Sequence, residues 1–123
     1  MLTVEALDPY VDHATQLAGT STDPVVLVNI FHVHPDHADE LEAFWGQLLR
    51  RFKSQDGFVS AQFHRGTAGS GTFLNYAVWE SVEHYRRAFD NPGFTELLGG
   101  YPDGTVASPH LFTKVAVPGV CVA

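Results

Sequence analysis

The stretch Asn75-Tyr76-Ala77-Val78-Trp79-Glu80-Ser81, running on to Tyr85, decides the fold of this chain. It reads as a strand that passes directly into a helix. Alternation places Phe73, Asn75, Ala77 and Trp79 on one face and Leu74, Tyr76 and Val78 on the other. Ser81 is suited to cap the helix, on which Val82, Tyr85 and Phe89 recur at helical spacing. One sheet face thus carries an amide and an indole N–H beside a helix that can supply a phenol. Such a lining suits an aromatic, oxygen-bearing ligand.

Working outward, Val25 to His34 is β-branched and apolar, so a strand is expected, ended by Pro35. Leu41, Phe44, Trp45, Leu48, Leu49 and Phe52 then form the stripe of an amphipathic helix and belong to the core. Asp36, Asp39 and Glu40 in its first turn, and Arg50, Arg51 and Lys53 in its last, complement the helix dipole. Asp56-Gly57 breaks the chain before a second strand, Phe58 to Arg65. The loop from Gly66 to Gly71 joins two strands, opens no helix and lacks the lysine of a phosphate loop, which argues against nucleotide binding. Asn91-Pro92 is a cap followed by proline at the first helical position, starting a short turn through Leu98. His110 to Val117 is the expected last strand.

The order is β-α-β-β-α-β, predicting an α+β, ferredoxin-like fold with a four-stranded antiparallel sheet. Two helices cover only one face. The other is expected to carry Asn29, Phe31, Val33, Phe73, Ala77 and Trp79, too apolar to stand in water, so a second copy is expected to cover it. A homodimer follows. Residues 1–24 are expected to be an N-terminal extension lying on the surface or strapping a partner subunit, with a short helix near Tyr10 to Leu17. Residues 25–117 form the domain and 118–123 a tail.

With 123 residues, 45% of them hydrophobic and 17% charged, the chain can bury a core as one ordinary domain. A formal charge of −7 makes nucleic acid a poor partner. The lone Cys121 offers neither a disulfide framework nor a paired-cysteine metal site. The first residues lack a basic region and an apolar run, so no signal peptide is expected, and no segment reaches the ~20 apolar residues of a membrane span. A reducing, cytoplasmic setting is expected.

Three motifs together resemble the antibiotic biosynthesis monooxygenase family, whose members form dimeric α/β barrels. They are Val28-Asn29-Ile30-Phe31 with His34-Pro35; Asp56-Gly57-Phe58-Val59-Ser60-Ala61 with His64-Arg65; and Asn75 to Ser81. Asn91-Pro92-Gly93-Phe94 matches as well. One branch oxidises phenolic polyketides to quinones with molecular oxygen and neither metal nor flavin. The resemblance implies that Asn75, Trp79 and Tyr85 contact substrate, with Leu98 near a place where that branch sometimes has an arginine. A second branch degrades haem; Asn29 matches its strand asparagine, but no Trp follows Trp79 and no His lies between His84 and His110. Relatives also include isomerases and proteins of no known chemistry, so a non-oxidative ligand-binding, cyclase or accessory role is the alternative.

The candidate catalytic residues are therefore Asn75, Trp79, Tyr85 and His64. His64, at a strand end, can serve as a base for a phenol or simply donate to backbone. Asn29, Phe31 and Phe73 are candidates for substrate contact. Trp79, Tyr85 and Asn29 can equally be packing residues; Asn75 is the most informative, because an asparagine in a strand is costly to bury without a partner. His32, His34 and His37 are close in sequence, yet no inward carboxylate accompanies them, so no metal site is expected. The expected partners are a small aromatic substrate and oxygen, with no cofactor.

Overall fold

The computed structural model describes residues 2–122. Its strands are β1 (Thr3–Val4), β2 (Val25–His32), β3 (Phe58–Arg65), β4 (Thr72–Trp79) and β5 (Val106–Phe112); its helices are α1 (His13–Leu17), α2 (Ala38–Phe52), α3 (Val82–Phe89) and α4 (Pro92–Leu97). One sheet holds all five strands in the order β1-β5-β2-β4-β3. The four long strands are antiparallel neighbours in the ferredoxin-like arrangement. The expected four-stranded sheet thus gains a fifth strand, β1, parallel to β5. Two residues hid it from sequence patterning.

Local chemistry sets the element ends. The Ser81 side chain accepts from the His84 amide, and Asn91 caps Pro92–Leu97 through the Gly93 amide. Pro35 opens a 3₁₀ turn, Pro35–His37, ahead of α2. Gly57 takes a positive φ of 86°, and a Cβ there would overlap the His84 side chain, which leaves glycine as the residue that fits.

Strand register decides which residues share a face. Phe31 lies opposite Phe73 and Ala107, Asn29 opposite Asn75 and Pro109, and Leu27 opposite Ala77 and Leu111. This face lies under the helices. Phe31, Phe73 and Ala107 pack with Leu41 and Leu48 of α2, while Leu27, Ala77 and Trp79 pack with Val82, Tyr85 and Ala88 of α3. Trp45 stacks on Phe63 at 4.0 Å between ring centres, and Phe63 on Phe73 at 5.2 Å.

That arrangement corrects the expected assignment of faces. Asn29, Phe31, Phe73, Ala77 and Trp79 are covered by helices of their own chain, not by a second copy. The face turned away from the helices carries Val28, Ile30, Leu74, Tyr76 and Val78, all half-buried. Alternation separates these two sets, but it does not say which set the helices choose.

The last strand is also displaced: it spans Val106–Phe112, not His110 to Val117. Pro109 obscured its first half. The carbonyls of Thr105 and Ala107 accept from Thr3 and Glu5 on the β1 side, so alternate residues of β5 turn their backbone toward that edge. Pro109 falls in the same set, where its missing N–H removes no bond of the β2–β5 ladder. Leu111 is next in the set, and its N–H and carbonyl are both taken by the Gln16 side-chain amide, at 2.8 and 2.9 Å.

The N-terminal arm packs against its own chain. It folds onto its own sheet through β1, through Gln16, and through Arg86, whose guanidinium donates to the Leu17 carbonyl at 2.6 Å.

Candidate functional site

Between the helix-facing side of the sheet and α2, α3 and α4 lies a cavity of about 700 Å³, its open mouth included. Leu27, Phe31, Trp45, Leu48, Phe52 and Phe89 make much of its apolar wall. The polar groups that reach it are His13, Asn29, Asn75, Tyr85 and Tyr101; among the described residues its lining includes no Asp, Glu, Lys or Arg.

Asn29 and Asn75 are directly opposite on β2 and β4, so their amides project side by side into this space. Asn75 is only 7% exposed. The Oδ1 atoms of both are buried and accept no hydrogen bond from the protein. Two orphaned acceptors at adjacent positions are unusual, because leaving one costs ~1–3 kcal/mol. A ligand carrying hydroxyl groups would satisfy both, and each amide also has N–H donors to offer.

Tyr85 comes to the cavity from the buried face of α3. Its hydroxyl lies 3.0 Å from His13 Nε2. Burial pushes the Tyr85 phenol well above the ordinary tyrosine range, and burial does the same to Tyr101. Burial holds the His13 imidazole below the ordinary histidine range; His110 acts in the same sense and Asp12 opposes it.

The remaining candidates separate. Trp79 lines a smaller adjoining cavity whose wall includes Asn75 and Tyr85, so it stands behind those two residues. It packs edge-on against Phe52 and Phe58. Phe31 lines the main cavity and stacks with Tyr101 at 5.6 Å. Phe73 lies in the core stacked on Phe63, away from the cavity wall. His64 does not join this group. It pairs in register with Leu74 on the opposite side of the sheet, is exposed, and places Nδ1 3.3 Å from the Leu74 carbonyl. A one-residue alternation sends its neighbour Phe63 inward and His64 outward.

His32, His34 and His37 turn to separate local partners: Thr72, the Asp36 amide and Glu40. Among the described residues no three His, Cys, Asp or Glu side chains converge as a metal-holding group. Leu98 lines the cavity with an apolar side chain.

Sequence reasoning did not single out His13 or Tyr101. His13 lies in a polar arm without periodic apolar residues, and its only local signal is Asp12, whose carboxylate caps α1 through the Thr15 amide. Nothing in that pattern says which face the arm will meet.

The fold and the paired amides over an apolar cavity define a small α+β scaffold with a polar-floored cavity between sheet and helices. Comparison identifies its family. Residues 24–98 match the antibiotic biosynthesis monooxygenase model, and the chain belongs to that family. It is 36% identical over 76 residues to deoxynogalonate monooxygenase of Streptomyces nogalater, a match covering 62% of this chain and spanning 64% of that relative's length. The crystal structure of SnoaB, a cofactor-independent oxygenase from Streptomyces nogalater, superposes with a TM-score of 0.70 and 29% identity, covering 79% of this chain and 98% of that one. A protein from Shewanella loihica PV-4, 23% identical, shares the fold with a TM-score of 0.69 over 80% of this chain and all of its own.

Proposed function

We propose that this protein is a cofactor-independent monooxygenase that oxidises a phenolic or anthrone-type, polyketide-like aromatic to a quinone with molecular oxygen. The observation that carries the reading is the pair of unpartnered amide oxygens of Asn29 and Asn75 in an otherwise apolar cavity. Family membership and the likeness to SnoaB support it.

The substrate supplies the reducing power. Loss of a proton gives a phenolate or carbanion able to pass an electron to oxygen, and recombination forms a peroxide at carbon. Loss of water then leaves the new carbonyl, so one oxygen atom enters the product and the other leaves as water. The chain's part is to hold the ring, favour the anion and keep bulk water out. Asn29 and Asn75 bind the substrate oxygens, Phe31 and Phe89 flank the ring, and Tyr85 borders the reacting edge. Trp79 backs Asn75 and Tyr85 from the adjoining cavity, holding them in place.

The test is oxygen consumption by the metal-free protein with 1,8-dihydroxyanthrone, corrected for autoxidation. Uptake matched by quinone formation is the expected result. Ligand binding without uptake above background would instead place the protein among non-oxidative binding or accessory proteins. The lone, exposed Cys121 suits a reducing, cytoplasmic setting, and among the described residues no helix is long and apolar enough to cross a membrane.

The working unit on this reading is a homodimer formed through the sheet face that carries Val28, Ile30, Leu74, Tyr76 and Val78. A contiguous apolar sheet face of this kind is a typical interaction surface. Replacing Tyr76 with Asp puts a charge at its centre, opposite Val28. Light scattering is expected to show a dimer for the parent protein and a monomer for Tyr76→Asp. An unchanged mass in the variant would remove this interface.

A further inference from the structure

The family match begins at residue 24, so the arm that carries His13 is an addition outside the matched segment. It is nonetheless built into the site. Gln16 clamps both backbone groups of Leu111 and approaches His110 Nε2 at 3.1 Å, Arg86 holds the Leu17 carbonyl, and β1 pairs with β5. These contacts place the His13 ring edge-on to Tyr85 and Phe89, with centroids at 5.7 and 5.6 Å, and set Nε2 3.0 Å from the Tyr85 hydroxyl.

The oxidation proposed above needs a group to take the substrate's proton, and the cavity offers few. Of its polar lining residues, Asn29 and Asn75 do not titrate, and Tyr85 and Tyr101 are phenols that burial keeps protonated. His64 is on the other side of the sheet. His13 remains.

We propose that His13, delivered by the N-terminal arm, is the proton acceptor of this cavity, taking the proton of a phenol or anthrone held at Asn29 and Asn75 through the Tyr85 hydroxyl. The step balances within the site. With the imidazole proton on Nδ1, Nε2 accepts from Tyr85. The substrate proton moves to the Tyr85 oxygen as the Tyr85 proton moves to Nε2, leaving a substrate anion, an imidazolium and an unchanged tyrosine. The rest of the cycle depends on the oxygenase reading. The imidazolium protonates the peroxide formed with oxygen. His13 then accepts the proton on the peroxide-bearing carbon as the O–O bond breaks, and the departing hydroxide takes that proton away as water.

At neutral pH the imidazole is in its accepting form, because burial opposes its charging. The groups acting on it are Asp12 beside it, which favours the charged form, His110 on β5, which opposes it, and Tyr85 on α3. Activity should therefore fall on the acid side with a midpoint below the ordinary histidine range.

The experiment uses the full chain, as parent, His13→Gln and Tyr85→Phe, with two readouts. Gln can still bond Tyr85 but cannot take a proton, and Phe keeps the packing of Tyr85; melting temperature serves as the folding control. The first readout is the visible spectrum of bound 2-hydroxyanthraquinone at a pH below its free ionisation midpoint. The parent is expected to show the phenolate band and both variants the neutral band. The second is oxygen uptake with 1,8-dihydroxyanthrone, where His13→Gln is expected to lose about 10²-fold in kcat with little change in KM, and to lose the acid limb. A His13→Gln enzyme that keeps its kcat and acid limb overturns the proposal while leaving the oxygenase reading intact. A parent that leaves the probe neutral or unbound overturns it too. His13-dependent ionisation without oxygen uptake sustains the proton acceptor and removes the oxygenase.

Discussion

Asn75→Ala is expected to lower kcat toward an anthrone about 10²-fold, the usual cost of ~3 kcal/mol for losing one positioned donor to a developing oxyanion. The same substitution should leave the melting temperature within a few degrees of the parent, or raise it. Asn75 Oδ1 is buried without a protein partner, so truncation breaks no hydrogen bond to it and removes a desolvated polar atom. Activity and stability then move independently, the signature of a residue kept for its ligand. Asn29→Ala, at the facing position, should behave in the same way. Steady-state kinetics with calorimetry of each variant checks this. Parent-like turnover in both would remove the paired amides from the mechanism, whereas a large loss of stability in either would show that it serves the fold.

Phe31→Ala is expected to do the opposite and cost about 3–5 kcal/mol of folding free energy. The ring is 2% exposed, stacks with Tyr101 and packs edge-on to Phe63. Its removal leaves a hole on the floor of the existing cavity, where α2 and the sheet cannot close in without losing the Trp45–Phe63–Phe73 stack. For a domain of this size such a loss is a large share of total stability. Urea unfolding should show a lower midpoint with an unchanged slope. A loss below about 1 kcal/mol would show that the cavity wall is plastic at Phe31. Phe31→Leu, which keeps much of the volume, should lose far less.

The two substitutions mark where sequence reasoning reached and where it stopped. The strand from Thr72 to Trp79, its turn into α3 and the Ser81 cap were legible because each depends on neighbours within a few residues. The α2 stripe was legible for the same reason. Asn75 stood out because asparagine in a strand contradicts its local preference, and such a conflict is common at a site. His64 was misplaced relative to the cavity. Being a strand residue gives it one of two faces, and the helix-bearing face is chosen only when Phe63 stacks between Trp45 and Phe73.

The arm shows the largest gap. Its residues have little apolar periodicity, and its docking rests on long-range polar contacts, Gln16 to the Leu111 backbone, Arg86 to Leu17 and His13 to Tyr85. No such pairing across the chain leaves a trace in local spacing. By itself, then, the sequence determined the β-α-β-β-α-β framework and the family, and it marked Asn75 as a residue at odds with its strand, since periodicity, caps and local conflict are properties of short segments. The tertiary structure alone decided which sheet face the helices cover, that Asn29 and Asn75 stand side by side with unpartnered oxygens, and that His13 meets Tyr85. Those outcomes depend on strand register and packing between residues far apart in the chain, which short-range patterns do not encode.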